Sequence, residues 1–370
     1  MPQNMQDIDN TKDLLTSLGG ENVVASVRGM AKQISTSLEG ALGVQFPSPY
    51  KRVRNVVYCG MGGSRFPGLI VYYLYKQQFR VPFEMCDDYL LPGSVGEDTL
   101  VVLSSYSGTT DEVLHCAKEA KSRSALITGF CGGGPLSEWF RAEGLPHYVF
   151  DETHNPSRQP RMGFGYTLGS FLGILLGLSL LRNGAEGELL REIKLGIETI
   201  PALTNMFDVD LPKAQNPAKK LALDIQGQYP YYIVAEHLTG AGNCIQNQTN
   251  ETAKNISSFR VLPELNHHLM EGLMFPAVHR DTALFITFYS TLYSPKVQKR
   301  LEITEDVIRQ NKIRVVRYAL ESTTKLGQVF EVVLLSSFVT MYLAAIYGTN
   351  PEEVPYVDYF KAQLKKEMVS

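Results

Sequence analysis

The 370-residue chain has a single tryptophan, no Cys-x-x-Cys pair among its five cysteines, and almost no charge imbalance. Each shortage excludes something. Cys59, Cys86, Cys116, Cys131 and Cys244 are odd in number and widely separated, which argues against a disulfide framework and against a spaced zinc site. Small buried thiols in a reduced, cytoplasmic protein are expected instead. With 35 Lys and Arg against 38 Asp and Glu, the formal charge is −3. That leaves no basic field to attract nucleic acid or an anionic membrane, so an anionic ligand must be met by local donors. The opening, MPQNMQDIDNTKDLL, is polar and acidic and lacks a charged-then-apolar leader, so secretion is not expected. Long apolar runs are also scarce. YTLGSFLGILLGLSLL (166–181) is shorter than the ~20 apolar residues that span a bilayer, and the run at 328–348 begins with Gln328 and contains Glu331. Both are expected as central or interface helices of a soluble protein without a membrane partner.

What is present points to an α/β protein. A composition of 44% hydrophobic and 20% charged residues fits a globular chain long enough for one large domain or two ordinary ones. After a helical lead-in (1–45), strand-like runs alternate with helical ones: NVVYCG, FEMCDDYL, TLVVLSSYS, SALITGF and HYVFDE. Such alternation predicts right-handed βαβ units and a parallel sheet covered on both faces. A polar, proline-bearing stretch (205–220) reads as a linker between a first subdomain (46–204) and a second (221–348), followed by a tail helix (349–370). Beyond the linker the pattern recurs weakly. YPYYIVAEHLTGAG parallels RNVVYCGMGGS, and ALFITFYSTLYSPKV parallels TLVVLSSYSGTTDEV. The expected fold is two open, doubly wound, flavodoxin-like parallel sheets.

Two loops carry the functional signal. In VLSSYSGTTDEVLH (102–115), an apolar strand breaks into Ser104, Ser105, Ser107, Thr109 and Thr110 around Gly108 before a helix begins. In CGMGGS (59–64), Gly60, Gly62 and Gly63 follow another strand. Both loops fall where parallel sheets bind ligands, beyond the carboxyl ends of strands and at helix N-termini that favour anions. The glycine run lacks the third glycine of a dinucleotide fingerprint, and no G-x-x-x-x-G-K-[ST] motif occurs. A plain reading is that the hydroxyls cap a helix, but a cap needs one hydroxyl and five are present. A phosphate monoester is the expected ligand.

GMGGS followed some forty residues later by SYSGTT resembles the sugar isomerase (SIS) domain. NPSRQPRMGFGYTLG (155–169) and NQTNETAKNISSFRVLPELNHHLMEG (247–272) extend the resemblance to the bifunctional phosphoglucose/phosphomannose isomerase family, over about 50–365. The resemblance implies two SIS-type subdomains and aldose–ketose isomerisation of a hexose 6-phosphate through a cis-enediol. It also implies no cofactor, no metal and a homodimer. Gly62, Gly63, Ser64, Ser105, Ser107 and Thr110 would hold the phosphate. Glu251 would be the base between C1 and C2, and His267 the ring opener. Arg161 would lie beside the enediolate, with Lys361 on a C-terminal helix returning to the site. These residue types suit the chemistry. A buried carboxylate has the pKa to move a proton α to a carbonyl, imidazole exchanges protons near neutrality, and a guanidinium steadies negative oxygen. The apolar helix at 329–347 would supply a dimer face.

The same residues have plainer readings. Glu251 could be a first-turn helix carboxylate, Arg161 could pair with Asp151 or Glu152 at the surface, and Lys361 could be solvated. Of His267 and His268, adjacent in the chain, at most one would face a site. The sequence also departs from the family pattern. Arg65 follows Ser64 where glycine is usual, and NPEEVP (350–355) replaces a threonine-bearing segment associated with accepting both C2 epimers. Glucose 6-phosphate/fructose 6-phosphate interconversion is therefore expected, with mannose 6-phosphate open. The alternative is a phosphosugar-binding SIS module without turnover. An amidotransferase forming glucosamine 6-phosphate would need a glutaminase domain, for which no room is expected at the N-terminus.

Overall fold

The computed structural model describes residues 8–182 and 185–367, so the first seven and last three residues of the N-terminal and tail regions, and 183–184, lie outside the described residues. Its framework is two parallel sheets. β1 (Asn55–Cys59), β2 (Phe83–Cys86), β3 (Thr99–Ser105), β4 (Leu126–Cys131) and β5 (His147–Val149) form the first, in the order β2-β1-β3-β4-β5. β6 (Tyr229–Ala235), β7 (Ser258–Leu262), β8 (Ala283–Tyr289) and β9 (Arg314–Ala319) form the second, in the order β7-β6-β8-β9. With β6 matched to β1, the first four strands of both sheets share one order. The weak sequence recurrence thus has a topological counterpart. Every residue of β3 is buried, which is why its sequence, TLVVLSS, carries no polar alternation until the strand's end.

The two apolar runs become interior helices. Helix Phe164–Gly177 lies against helix Met30–Leu42, and a stripe of glycines permits the close approach. A Cβ on Gly169 would meet Ile34 O at 2.5 Å, and one on Gly173 would meet Leu38 O at 3.0 Å. Helix Lys325–Tyr347 starts at Thr324, whose hydroxyl accepts from Gly327 N–H (3.0 Å), and ends at Gly348 in the left-handed region (φ +64°). Among the described residues it is the one helix long and apolar enough to cross a membrane, yet 94% of its apolar window is buried inside the chain. It packs against helices Ala185–Phe207, Pro217–Ile225 and Thr239–Glu251. This corrects one expectation: the helix provides no dimer face, because its apolar surface is already covered within one chain. The 205–220 stretch is likewise partly helical, since the preceding helix runs to Phe207 and the next begins at Pro217.

Candidate active site

The carboxyl ends of β1 and β3 bring the two loops together. Tyr106 N–H donates to Ser64 Oγ (2.8 Å), while Ser64 O accepts from the hydroxyls of Tyr58 (2.8 Å) and Ser104 (3.0 Å). The remaining hydroxyls pair with one another, Ser105 with Thr110 (2.8 Å) and Ser107 with Thr109 (2.8 Å). Helix Asp111–Ser122 begins at Thr110, which makes no side-chain cap hydrogen bond. The hydroxyls are therefore not spent on capping. They grade from buried Ser105 to exposed Ser107, so the cluster opens at one side. Gly108 makes the bend possible: its φ is +68°, and a Cβ there would lie 1.9 Å from Gly133 O. Gly62 also has a positive φ (+50°). Arg65, the departure in this loop, ion-pairs with Asp87 (2.8 Å) and donates to Asn243 Oδ1 (3.2 Å).

The glycine loop abuts the segment that carries Arg161. A Cβ on Gly63 would touch Pro160 C (3.0 Å) and Arg161 N (3.1 Å). Asn155 Nδ2 donates to Tyr106 Oη (2.6 Å) and to Gln159 O (3.1 Å), tying this segment to the hydroxyl loop as well. Arg161 is 1% exposed, and every nitrogen of its guanidinium donates. Nε meets Thr252 Oγ1 (2.9 Å), and Nη1 meets Gln159 Oε1 (2.8 Å) and Glu251 Oε2 (3.4 Å). Nη2 meets the carbonyls of Pro351 (2.7 Å) and Glu352 (2.8 Å). Arg161 does not pair with Asp151 or Glu152.

Glu251 is the last residue of helix Thr239–Glu251, not a first-turn carboxylate. A negative group gains nothing from the dipole at that end. Desolvation raises its pKa above the ordinary glutamate value, against the opposing charges of Arg161, Lys361 and Lys254. Its side chain remains 33% exposed, which leaves an approach from solvent. Lys361, on exposed helix Pro355–Glu367, is thus close enough for its charge to act on Glu251. Lys254 lies inside the NETAK block, where the sequence assigns it no role. Its ammonium donates to Thr252 O (3.1 Å) and to Asn350 O, and desolvation followed by the Arg161 charge lowers its pKa to about 8. Together Lys254 and Arg161 hold the carbonyls of Asn350, Pro351 and Glu352. Gln159, Thr252 and this carbonyl segment carry no motif signal of their own, because only the folded arrangement points them at Arg161.

His267 is not brought to this group within one chain. It ends the 3-10 turn Glu264–His267 after β7, is exposed, and has no hydrogen bond or ion pair to Arg161 or Glu251 among the described residues. Two other stretches of the chain expose apolar side chains. Met274, Phe275 and Val278 are 50%, 72% and 55% exposed, and Tyr356, Tyr359 and Phe360 on the C-terminal helix are 63% or more exposed.

Residues 214–364 match the family described as the bacterial phospho-glucose isomerase C-terminal SIS domain. The matched residues contain the whole second sheet, β6 to β9. A bifunctional phosphoglucose/phosphomannose isomerase of Caldicellulosiruptor bescii is 27% identical over 348 residues, covering 92% of this chain and 98% of the relative. A protein of the same name from Aquifex aeolicus is 27% identical over 320 residues, covering 86% and 92%. A crystal structure of a hypothetical protein from Thermus thermophilus shares the fold (TM-score 0.70, 16% identity, covering 97% and 94%). The family that the motifs resemble is thus the one these relatives are named for, and the similarity runs through both sheets.

Proposed function

We propose that the chain is an aldose–ketose isomerase that interconverts glucose 6-phosphate and fructose 6-phosphate, and takes mannose 6-phosphate by the same proton transfer. The observation that carries this reading is the buried Arg161 beside Glu251 (3.4 Å), next to a cluster of hydroxyls that caps nothing. The phosphate binds Ser64, Ser105, Ser107 and Thr110, exchanging the Ser105–Thr110 and Ser107–Thr109 pairs for hydrogen bonds to its oxygens, with the backbone of Gly62 and Gly63 alongside. Glu251 removes the C2 proton of the open-chain aldose and returns it to C1, so no net proton is consumed. Its raised pKa suits it to both halves of the transfer. The enediolate oxygen formed between these steps sits against the Arg161 guanidinium, which is already held in place by five hydrogen bonds. Lys361 adds positive charge on the open side of Glu251. No cofactor takes part in this scheme, and the only substrate is the phosphosugar.

His267 enters from a second copy. Its exposure, together with exposed Met274, Phe275 and Val278 and the exposed aromatics of helix Pro355–Glu367, supports a homodimer in which each chain lends His267 to its partner's site for ring opening. Five free, buried thiols fit a reducing cytoplasm. The exposure of His267 in one chain is also the observation that favours a binding module without turnover. A coupled assay from fructose 6-phosphate to glucose 6-phosphate separates the two readings. Turnover that disappears in Glu251→Gln supports the isomerase, whereas phosphosugar binding by a dimer without turnover leaves the binder.

A further inference from the structure

Three cysteines that share no sequence spacing meet at one point of the first sheet. Cys59 ends β1, Cys86 ends β2, and Cys116 projects from helix Asp111–Ser122. Their sulfur atoms all lie within 4.8 Å of one another, and those of Cys86 and Cys116 are 4.0 Å apart. All three residues are at most 5% exposed, and none is in a disulfide. Backbone carbonyls complete the environment: Leu90 O lies 3.4 Å from Cys86 Sγ, and Asp88 O lies 3.4 Å from Cys116 Sγ. These carbonyls belong to the loop after β2, whose residues 87–90 are exposed.

We infer that Cys59, Cys86 and Cys116 form a binding site for one thiophilic d10 divalent cation of the zinc and cadmium class, separate from the phosphosugar site. Zinc–thiolate bonds of about 2.3 Å at tetrahedral angles place sulfurs about 3.8 Å apart. The 4.0 Å pair is nearly at that spacing, and the 4.8 Å limit leaves at most an ångström to be closed by side-chain rotation. Three sulfurs select a soft ion over magnesium or calcium, and a loop carbonyl or water takes the fourth position. Binding displaces three thiol protons, so three thiolates and M²⁺ carry a net charge of −1. The ion would tie together β1, β2 and helix Asp111–Ser122. Cys59 directly precedes Gly60 of the glycine loop, and Asp87, next to Cys86, pairs with Arg65 of the same loop (2.8 Å). The site therefore braces the two loops from behind without touching substrate.

The test titrates reduced full-length protein with Cd²⁺ and follows thiolate-to-cadmium charge-transfer absorption. One ion per chain is expected. Cys59→Ala, Cys86→Ala and Cys116→Ala should each weaken binding by more than about tenfold, the lower bound set by what even outer-shell partners contribute. Cys131→Ala and Cys244→Ala should not change it. No charge-transfer band in the native chain, or an equal band in the Cys86 and Cys116 variants, overturns the assignment. A second measurement needs no variant: alkylation of the native chain with and without Zn²⁺, mapped by mass. Selective slowing at Cys59, Cys86 and Cys116 supports the site. Equal slowing at all five cysteines, or none, removes it.

Discussion

Glu251 and Lys254 lie three residues apart, and their surroundings push them in opposite directions. Desolvation raises the carboxylic acid and lowers the amine, the latter to about 8. Replacing Glu251 with Gln keeps the shape and removes the proposed base. We expect kcat to fall by about 10²–10⁴-fold while binding of a hexitol 6-phosphate changes little, as read by steady-state kinetics and calorimetry. The base must be deprotonated to act, so kcat/KM should fall as pH drops through a value above the ordinary glutamate range. On the alkaline side Lys254 loses its proton as pH rises past about 8. The carbonyl segment 350–352 then loses one of its two cations, and activity should decline. Lys254→Arg should move that alkaline limb to higher pH and leave the acid limb in place, which a kcat/KM profile of both proteins would display. Of these residues, the NETAK and QPR motifs made Glu251 and Arg161 legible from the chain. The weight on Lys254, Gln159 and Thr252 was not, because a polar residue next to a motif has no signature until a fold aims it.

At the scale of elements, the hydroxyl loop and its helix act as a unit. Gly108 is required there: a side chain would be strained at φ +68° and would collide with Gly133 O. Gly108→Ala should cost about 1–3 kcal/mol in stability by chemical denaturation, and should raise KM even where the protein remains folded. Ser105→Ala and Thr110→Val each remove a donor that the proposal assigns to phosphate. KM for fructose 6-phosphate should rise about tenfold or more, with a smaller effect on kcat, since a hydrogen bond to a charged group contributes about 1.5–3 kcal/mol. The strands of the first sheet and the positions of the two loops were readable because a buried parallel strand such as β3 is an apolar run that stops abruptly, whereas half-buried β7 gave no such run. The fate of the two long apolar helices was only half readable. Composition separated them from solvated helices, but not a dimer face from an interior, and helix Lys325–Tyr347 is interior.

At the scale of the whole molecule, exposed His267 and the exposed apolar side chains make the proposed dimer a kinetic question. Glu251→Gln and His267→Asn should each be nearly inactive alone. Mixed and allowed to exchange subunits, they should regain activity, because a hybrid dimer contains one site with an intact Glu251 and a partner's intact His267. Activity that does not return on mixing while dimers exchange would place both residues in a single chain's site. Sedimentation should show the dimer at micromolar concentration, and Phe275→Glu should shift it towards monomer, since a charge would be buried in an apolar contact.

The alternation of strands and helices in the first half and the positions of the glycine and hydroxyl loops were determined by the sequence alone, because hydrophobic periodicity and glycine placement are local properties. The candidate residues for chemistry came only from resemblance to a known family. Only the tertiary structure decided that Arg161 lies buried against Glu251, that three unspaced cysteines meet, and that His267 faces outward. Those facts depend on how distant segments pack, and distance along a chain carries no record of distance in space.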